Sequence, residues 1–481
     1  MNTHTLALGL LAAQGCLGAF DTLFHHELTE ALPKRASARL ELGIHAVRAL
    51  IYSALFIGLA AWEFHGLWAL VLLAVFAVEI ALTLWDFVVE DRTRLLPATE
   101  RVTHTVLAMN GGAFIALLAL NAPGWLAQPT ALAWHPHGLL SVFTGLCGIG
   151  VGVSGVRDGL AARALGKQAE QPAEPVRFAD TPREVLVTGA TGFIGQKLVA
   201  ALLADGHRVT VLTRQARAAA WMFNGRIECI ASMDALPRSR RFDLVVNLAG
   251  APVLGWRWSA GRRAVLRRSR VSLTQKLVDW IATAEHKPAL LLSASAIGYY
   301  GVQARGDDRA LTEDAPPQPI FMSDLCREWE EAARGAQAFG VQVARMRIGV
   351  VLGRSGALPM MLLPVKLGIG GPLGDGRQWL SWIHVNDVIA AMGHLARRGE
   401  GGAFNLVAPE SVSQAQFGRT AARVHRRPFG FPTPGLPMRA VLGEQADLLL
   451  EGQRVLPERL LAGGFSFRYP HLEGALRSLA G

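Results

Sequence analysis

Two groups of residues in this 481-residue chain have types and spacing suited to chemistry. The first is Gly189-Ala190-Thr191-Gly192-Phe193-Ile194-Gly195, inside VLVTGATGFIGQKLVAALLADGHRVTVLTR (185–214), which reads in order as strand, glycine turn, helix and strand. Gly189 permits a tight turn, Gly192 lets backbone approach a pyrophosphate, and Gly195 lets helix pack on strand. The helix N terminus then offers unpaired N–H groups and the positive end of a dipole to phosphates. The second strand ends in Thr213-Arg214, with no Asp or Glu to take both hydroxyls of a ribose. An arginine there suits a 2′-phosphate through a charge-assisted fork, so the expected cofactor is NADP(H) rather than NAD(H). In FDLVVNLAGAPV (242–253) the small residues around Leu248, Ala249 and Gly250 would let backbone run beside the adenine and ribose.

The second group lies in the first 110 residues. Asp21 and His25, Glu41 and His45, Asp86 and Glu90, and Glu100 and His104 are i, i+4 pairs, so each pair shares one helix face. Carboxylates and imidazoles pointing inward from four helices can hold a metal pair. The candidate ligands are His25, Glu41, His45, Asp86, Glu90, Glu100 and His104. The competing expectation is plain ion pairing with Arg48, Arg92, Arg94 and Arg101, and the spacing is not the Glu-x-x-His of soluble di-iron bundles.

The elements that must position these groups divide the chain. Composition is 51% hydrophobic and only 18% charged, with a mean hydropathy of +0.27, so part of the chain is expected to lie in lipid. Residues 1–156 hold five apolar segments, at 5–24, 44–64, 67–89, 102–121 and 138–156. Each is close to the roughly 20 residues that cross a bilayer. The first lacks a basic start and a good cleavage site, which favours a retained helix. Lys34, Arg35, Arg39, Arg92, Arg94, Arg101, Arg157 and Arg163 occupy alternate connections, while 65–66 and 121–138 carry no Lys or Arg. By the positive-inside tendency the N terminus faces out and everything after segment five is cytoplasmic, at a bacterial inner membrane.

The expected domains are a transmembrane part (1–160), a polar Pro/Ala-rich linker (161–182), a dinucleotide-binding domain (183–400) and a C-terminal lobe (401–481) that completes a substrate cleft. The predicted fold is thus an α-helical membrane bundle of five helices plus an α/β Rossmann-like, doubly wound parallel sheet with a small C-terminal lobe. Of the 48 basic residues 42 are arginine (48 − 6 lysines), but no basic and aromatic cluster points to nucleic acid. The expected partners are a small-molecule substrate and the lipid bilayer. Four scattered cysteines form neither a CxxC motif nor a disulfide framework.

TGATGFIG, NLAG, SASAIGYYG, RIGVVLG and WIHVNDV follow in the order found in extended, epimerase-like short-chain dehydrogenase/reductases. The second half most resembles their atypical branch, the epimerase-family proteins that end in a small domain of unknown function. NLAGAPVLGWRWSAGRRAVLRRSRV, GGPLGDGRQWLSWIHVNDV and LPERLLAGGFSFRYP carry that likeness over about 183–480. It implies a Rossmann-like sheet with a substrate lobe, and no particular substrate.

In the extended enzymes a Ser or Thr holds the substrate oxygen and a Tyr exchanges the proton, assisted by a Lys four residues on. Ser295 matches the serine position. The four tyrosines are Tyr52, Tyr299, Tyr300 and Tyr469, and none has a lysine four residues later. Aligning Glu330 with the acid that often follows the motif puts Met322 and Cys326 in the Tyr and Lys places. Two readings stay open. Either Tyr299 or Tyr300 supplies the hydroxyl for an NADP(H)-dependent oxidoreductase or epimerase-like reaction with Ser295, or the domain is an NADP(H)-binding sensor or relay coupled to the membrane bundle. Cys326 is expected to pack rather than react. Arg257, Arg377, Trp379 and His384 are expected to shape the substrate pocket, with Asp387 orienting a loop or capping a helix.

Overall fold

Long apolar runs with few charges fold in the first half of the chain as helices, which satisfy their own backbone hydrogen bonds. The computed structural model describes residues 3–29, 32, 38–93, 98–170, 175–253, 258–304, 306–435, 438–439 and 443–480. The chain divides into two units, residues 1–172 and 173–481.

In the first unit α1 (Thr3–Phe20) runs on into a nine-residue π-helix, Asp21–Thr29. It is followed by α2 (Arg39–Ala61), α3 (Leu67–Thr93), α4 (Ala98–Leu126) and α5 (Leu139–Glu170). Among the described residues five helices are long and apolar enough to cross a membrane by length and composition. The connections contribute β1 (Trp62–His65) and β2 (Ala131–Trp134), paired antiparallel. A stripe of glycines lets α5 lie against α2: a Cβ at Gly148, Gly152 or Gly155 would come within 2.9 Å of Ile57, Ser53 or Ala49 respectively. Such small-residue seams let two helix backbones approach closely. The first ten residues of the expected linker, 161–170, are instead the end of α5, because AARALGKQAE is rich in good helix formers.

The second unit is a seven-stranded parallel sheet with helices packed on it. Its elements are β3 (Glu184–Thr188), α6 (Phe193–Ala204), β4 (Arg208–Leu212), α7 (Ala216–Met222), β5 (Glu228–Ile230), β6 (Leu244–Asn247), α8 (Ala260–Arg267), α9 (Leu273–Thr283), β7 (Leu290–Ala296), α10 (Phe321–Arg334) and β8 (Gln342–Ile348). The chain then builds a second lobe from β9 (Val350–Leu352), α11 (Leu358–Lys366), β10 (Trp379–Leu380) and β11 (Trp382–His384). It returns through α12 (Val385–Arg398) to β12 (Gly402–Leu406) before β13 (Val412–Ser413) and α13 (Gln414–His425). The sheet order is β12-β8-β7-β6-β3-β4-β5, which reverses direction between β3 and β6. Ligands of doubly wound sheets bind at such a switch point. Near-continuous apolar strands such as Leu244–Val246 and Leu290–Leu292 are fully buried, as strands covered on both faces must be. Because β12 pairs with β8 from Gly402↔Ala344 to Leu406↔Ile348, the expected boundary at 400 falls inside the sheet lobe, and the sheet ends at 406.

Candidate active site

The glycine turn is built by close approach. Gly189 has φ +71°, and a Cβ there would meet the Leu248 carbonyl carbon at 2.7 Å, so β3 and the Leu248–Gly250 stretch touch backbone to backbone. A Cβ on Gly195 would run into the Gly189 carbonyl oxygen. Gly192 caps α6, whose first N–H groups face the same turn. Arg214 is exposed just past β4 and makes no ion pair or hydrogen bond among the described residues. Every expected cofactor residue therefore lies at the C-terminal ends of β3, β4 and β6.

A buried polar chain ties these strand ends together. Thr188 Oγ1 donates to Asn247 Oδ1 (2.6 Å), and Asn247 Nδ2 donates to Thr274 Oγ1 (2.8 Å) and reaches Ser293 Oγ (3.4 Å). Trp329 Nε1 donates to Thr274 Oγ1 at 3.0 Å, bringing in α10. Beside it Arg270 is buried, with Nη2 donating to the Ala251 carbonyl at 3.0 Å and no carboxylate in salt-bridge range among the described residues. A Cβ on Gly250 would sit 3.0 Å from its guanidinium carbon, and burial holds its pKa below the usual range.

At the end of β7, Ser295 is buried and donates to Glu330 Oε1 on α10 at 2.8 Å. Arg347 on β8 grips the same carboxylate and also donates to the Tyr300 hydroxyl (3.0 Å). Tyr300 in turn donates to Asn405 Oδ1 on β12 at 2.6 Å, and Asn405 N–H donates to Glu313 Oε1 at 2.9 Å. Burial pushes the Tyr300 phenol up to about 12. Tyr300 is thus a fully engaged interior hydroxyl. Its neighbour Tyr299 is only half-buried, stacks against the Arg347 guanidinium at 3.5 Å, and its hydroxyl has no partner among the described residues. Met322 and Cys326 face the same turn: a Cβ on Gly298 would lie 3.5 Å from Met322 Cε and 3.8 Å from Cys326 Sγ. Burial, then the Glu330 charge, pushes the Cys326 thiol up to about 12, which suits packing and not nucleophilic attack.

The residues expected to bind substrate occupy different settings. Arg257 lies outside the described residues. Arg377 is exposed on the second lobe, and Trp379 stacks with Arg454 at 5.2 Å. His384 is buried as the N-cap of α12, where Nδ1 accepts from Asn386 N–H (3.1 Å), Nε2 meets Ser478 Oγ (3.3 Å), and the ring stacks on Tyr469. An imidazole with both nitrogens engaged in the interior is a structural cap. Asp387 accepts from Arg468 N–H and Tyr469 N–H, both at 3.0 Å, and so orients a loop. Sequence reasoning did not single out Arg270, Arg347 or Asn405; the RRSRV and RIGVVLG runs were the signal for the first two.

In the first unit the acid and histidine pairs do converge, at the meeting ends of α1 to α4. Asp21 Oδ1 takes His25 Nδ1 at 2.8 Å, while Asp21 Oδ2 lies 3.1 Å from His104 Nε2 and 3.4 Å from His26 Nε2. His45 Nε2 lies 3.0 Å from Asp86 Oδ2 and 3.9 Å from Glu90 Oε1. Arg48 pairs with Asp86 at 2.6 Å and with Glu79 at 3.2 Å, as the ion-pair expectation required for that residue.

Comparison with known proteins places this geometry. Residues 185–406 match the NAD dependent epimerase/dehydratase family, and residues 433–479 match a domain of unknown function, DUF1731. The chain is similar to epimerase family protein YfhF of Bacillus subtilis, 37% identical over 305 residues that make up 61% of this chain and 97% of the relative. It is 40% identical over 303 residues to the chloroplastic SDR39U1 homolog of Arabidopsis thaliana, covering 61% of this chain and 86% of that protein. Among solved structures, human epimerase family protein SDR39U1 with NADPH is 35% identical, covers 62% of this chain and 99% of its own, and superposes with a TM-score of 0.55. A seven-stranded Rossmann-like sheet with a glycine cradle at its switch point, joined to that C-terminal domain, makes this chain a member of the epimerase family of nucleotide-binding proteins.

Proposed function

We propose that the chain is a membrane-anchored, NADP(H)-dependent oxidoreductase or epimerase-like enzyme acting on a small carbonyl or hydroxyl substrate. The observation that carries the cofactor choice is Arg214, an exposed guanidinium without a partner among the described residues at the end of the second strand. The cradle fits a dinucleotide on its own terms, since Gly189 and Gly195 leave no room for a Cβ. The human relative, solved with NADPH, supports the same reading. When bound, NADPH supplies a hydride. In this reading Gly189–Gly195 and the start of α6 hold the diphosphate, Arg214 takes the 2′-phosphate, and Leu248–Gly250 flank the adenosine.

For the proton we favour Tyr299. Its hydroxyl is not consumed by the fold, whereas Tyr300 is locked between Arg347 and Asn405. Ser295 and Glu330 brace the turn that presents it. Arg270 places a buried cation beside Gly250 and interacts electrostatically with Cys326, the position that aligns with the lysine of the extended enzymes. In this reading Arg270, from the segment after α8, stands in for the lysine alone, and the Arg347 guanidinium stacked on Tyr299 supplies the charge nearest its ring.

The anchor reading rests on the five long apolar helices and on their outward residues. Leu67, Leu70, Val71, Val78 and Leu84 of α3 are all exposed, while Glu79, Asp86 and Glu90 of the same helix are buried. Apolar outside and charged inside is the pattern of a helix facing lipid. The nucleotide-binding unit is then cytoplasmic at an inner membrane. The deciding experiment follows NADPH oxidation by the full chain in detergent against a panel of small carbonyl compounds. Tight NADPH binding with no turnover on any membrane-extracted or synthetic carbonyl would leave a sensor or relay, which the absent Tyr-x-x-x-Lys pair also favours.

A further inference from the structure

The buried acid and histidine residues of the first unit form a separate site that does not rest on the dinucleotide reading. Asp21, Glu41, Asp86, Glu90 and Glu100 are each no more than 5% exposed, and His26 is 8% exposed. In one constellation the donor atoms of Asp21, His26 and His104 lie within 4.8 Å of one another. Glu100 Oε1 adds a fourth donor 3.9 Å from His26 Nε2 and 4.0 Å from His104 Nε2. A second constellation is Glu41, His45 and Glu90. The two are joined through Glu90, whose Oε2 lies 3.3 Å from His104 Nδ1.

Ligand atoms that share one ion at about 2.1 Å in octahedral or tetrahedral geometry sit roughly 3.0–3.4 Å apart. The contacts of Asp21 Oδ2 with His104 Nε2 (3.1 Å) and His26 Nε2 (3.4 Å) have that spacing. An independent observation points the same way. His26 Nε2 is buried and makes no geometrically sound hydrogen bond among the described residues, although carboxylate oxygens of Asp21 and Glu100 stand 3.4 and 3.9 Å away. A buried polar atom left this way demands an explanation, a bound ion being one.

The backbone is bent to this purpose. Asp21–Thr29 is π-helical, and its i, i+5 repeat brings His26 to Asp21 beside His25. His25 holds the other oxygen of Asp21, which fixes the carboxylate as an outer partner does around a metal. Imidazoles mixed with carboxylates and no thiolate suit Fe(II), Mn(II) or Zn(II), in preference to Ca(II), Mg(II) or Cu(I).

We propose that Asp21, His26, His104 and Glu100 bind a divalent transition-metal ion, with Glu41, His45 and Glu90 an adjoining subsite. The test uses the full chain purified in detergent, assayed for Fe, Mn and Zn, then stripped with chelator and titrated with Co(II). The expected result is at least one equivalent of metal and a Co(II) d–d spectrum, with metal affinity lowered at least about tenfold in Asp21→Asn and His26→Gln. His286→Ala, at an exposed site in the other unit, should bind as wild type does. Helical circular dichroism of the metal-free variants checks that they fold. His45→Ala should remove only the adjoining subsite. Less than one equivalent after loading, or full binding by the folded Asp21 and His26 variants, overturns the proposal and leaves an ion-pair network.

Discussion

Arg347 grips Glu330 through two buried hydrogen bonds, Nε to Oε1 at 2.8 Å and Nη2 to Oε2 at 3.0 Å. The pair clamps α10 to β8 at the mouth of the candidate site, and Ser295 closes the clamp from β7. Glu330→Ala would strand a buried guanidinium, a loss of about 3–5 kcal/mol. Thermal unfolding should show the drop, and a variant within about 1 kcal/mol of wild type would sink this account of the clamp.

The two adjacent tyrosines should separate stability from turnover. Tyr300→Phe leaves Asn405 Oδ1 and Arg347 Nη1 each short of a partner, costing about 1–3 kcal/mol with little change in the chemical step. Tyr299→Phe should leave stability alone and lower turnover by about 10²-fold. The reverse pattern would move the proton to Tyr300.

Arg214 should set cofactor preference. Its alanine variant is expected to lose roughly 10- to 100-fold in NADPH affinity, the worth of a charged hydrogen bond, with NADH affinity unchanged. Equal titrations of wild type and variant would remove the 2′-phosphate assignment.

His384 predicts a pH dependence. Burial, with Lys197 nearby, lowers its pKa from 6.5 to about 4. The unfolded chain therefore takes up a proton below 6.5 that the folded chain refuses. Stability is fully present above pH 6.5 and is lost as pH falls toward 4, by up to about 3 kcal/mol. His384→Asn retains a cap and should flatten that slope. Thermal midpoints at pH 7 and pH 4.5 that differ equally in both proteins would refute it.

Gly155 tests the seam between α2 and α5. Gly155→Leu must push Ala49 and the Ala46 carbonyl away, and should destabilise the first unit while leaving cofactor binding by the second intact. Loss of NADPH binding together with the helical signal would show that the two units do not fold independently.

What the sequence made legible was local. Glycines three residues apart between two strands, and apolar runs of membrane length, each signal through neighbours within a turn or two. The acid and histidine pairs were readable by i, i+4 spacing because α-helices dominate there. His26 escaped that rule, since the π-helix shifts the face by one residue, and the FHHE doublet was the signal to weigh. The Ser295–Glu330–Arg347–Tyr300–Asn405 network joins residues up to 105 apart, and nothing in local spacing reports such a contact. The boundary at 400 missed for a similar reason. Gly402–Leu406 is a strand only because β8 leaves an edge for it.

That returning strand makes the second unit a laced structure. After β8 the chain passes into the second lobe at β9, comes back through α12 and β12, and leaves again at β13. The stretch Glu458–Phe465 packs once more on the sheet core, and Leu472–Leu479 ends in the other lobe beside α13. Two bodies stitched together by repeated crossings can swing only if every crossing bends in concert. Any closure of one lobe on the other would therefore demand matched backbone changes at all of these crossings, and a cut at one of them would disturb both lobes.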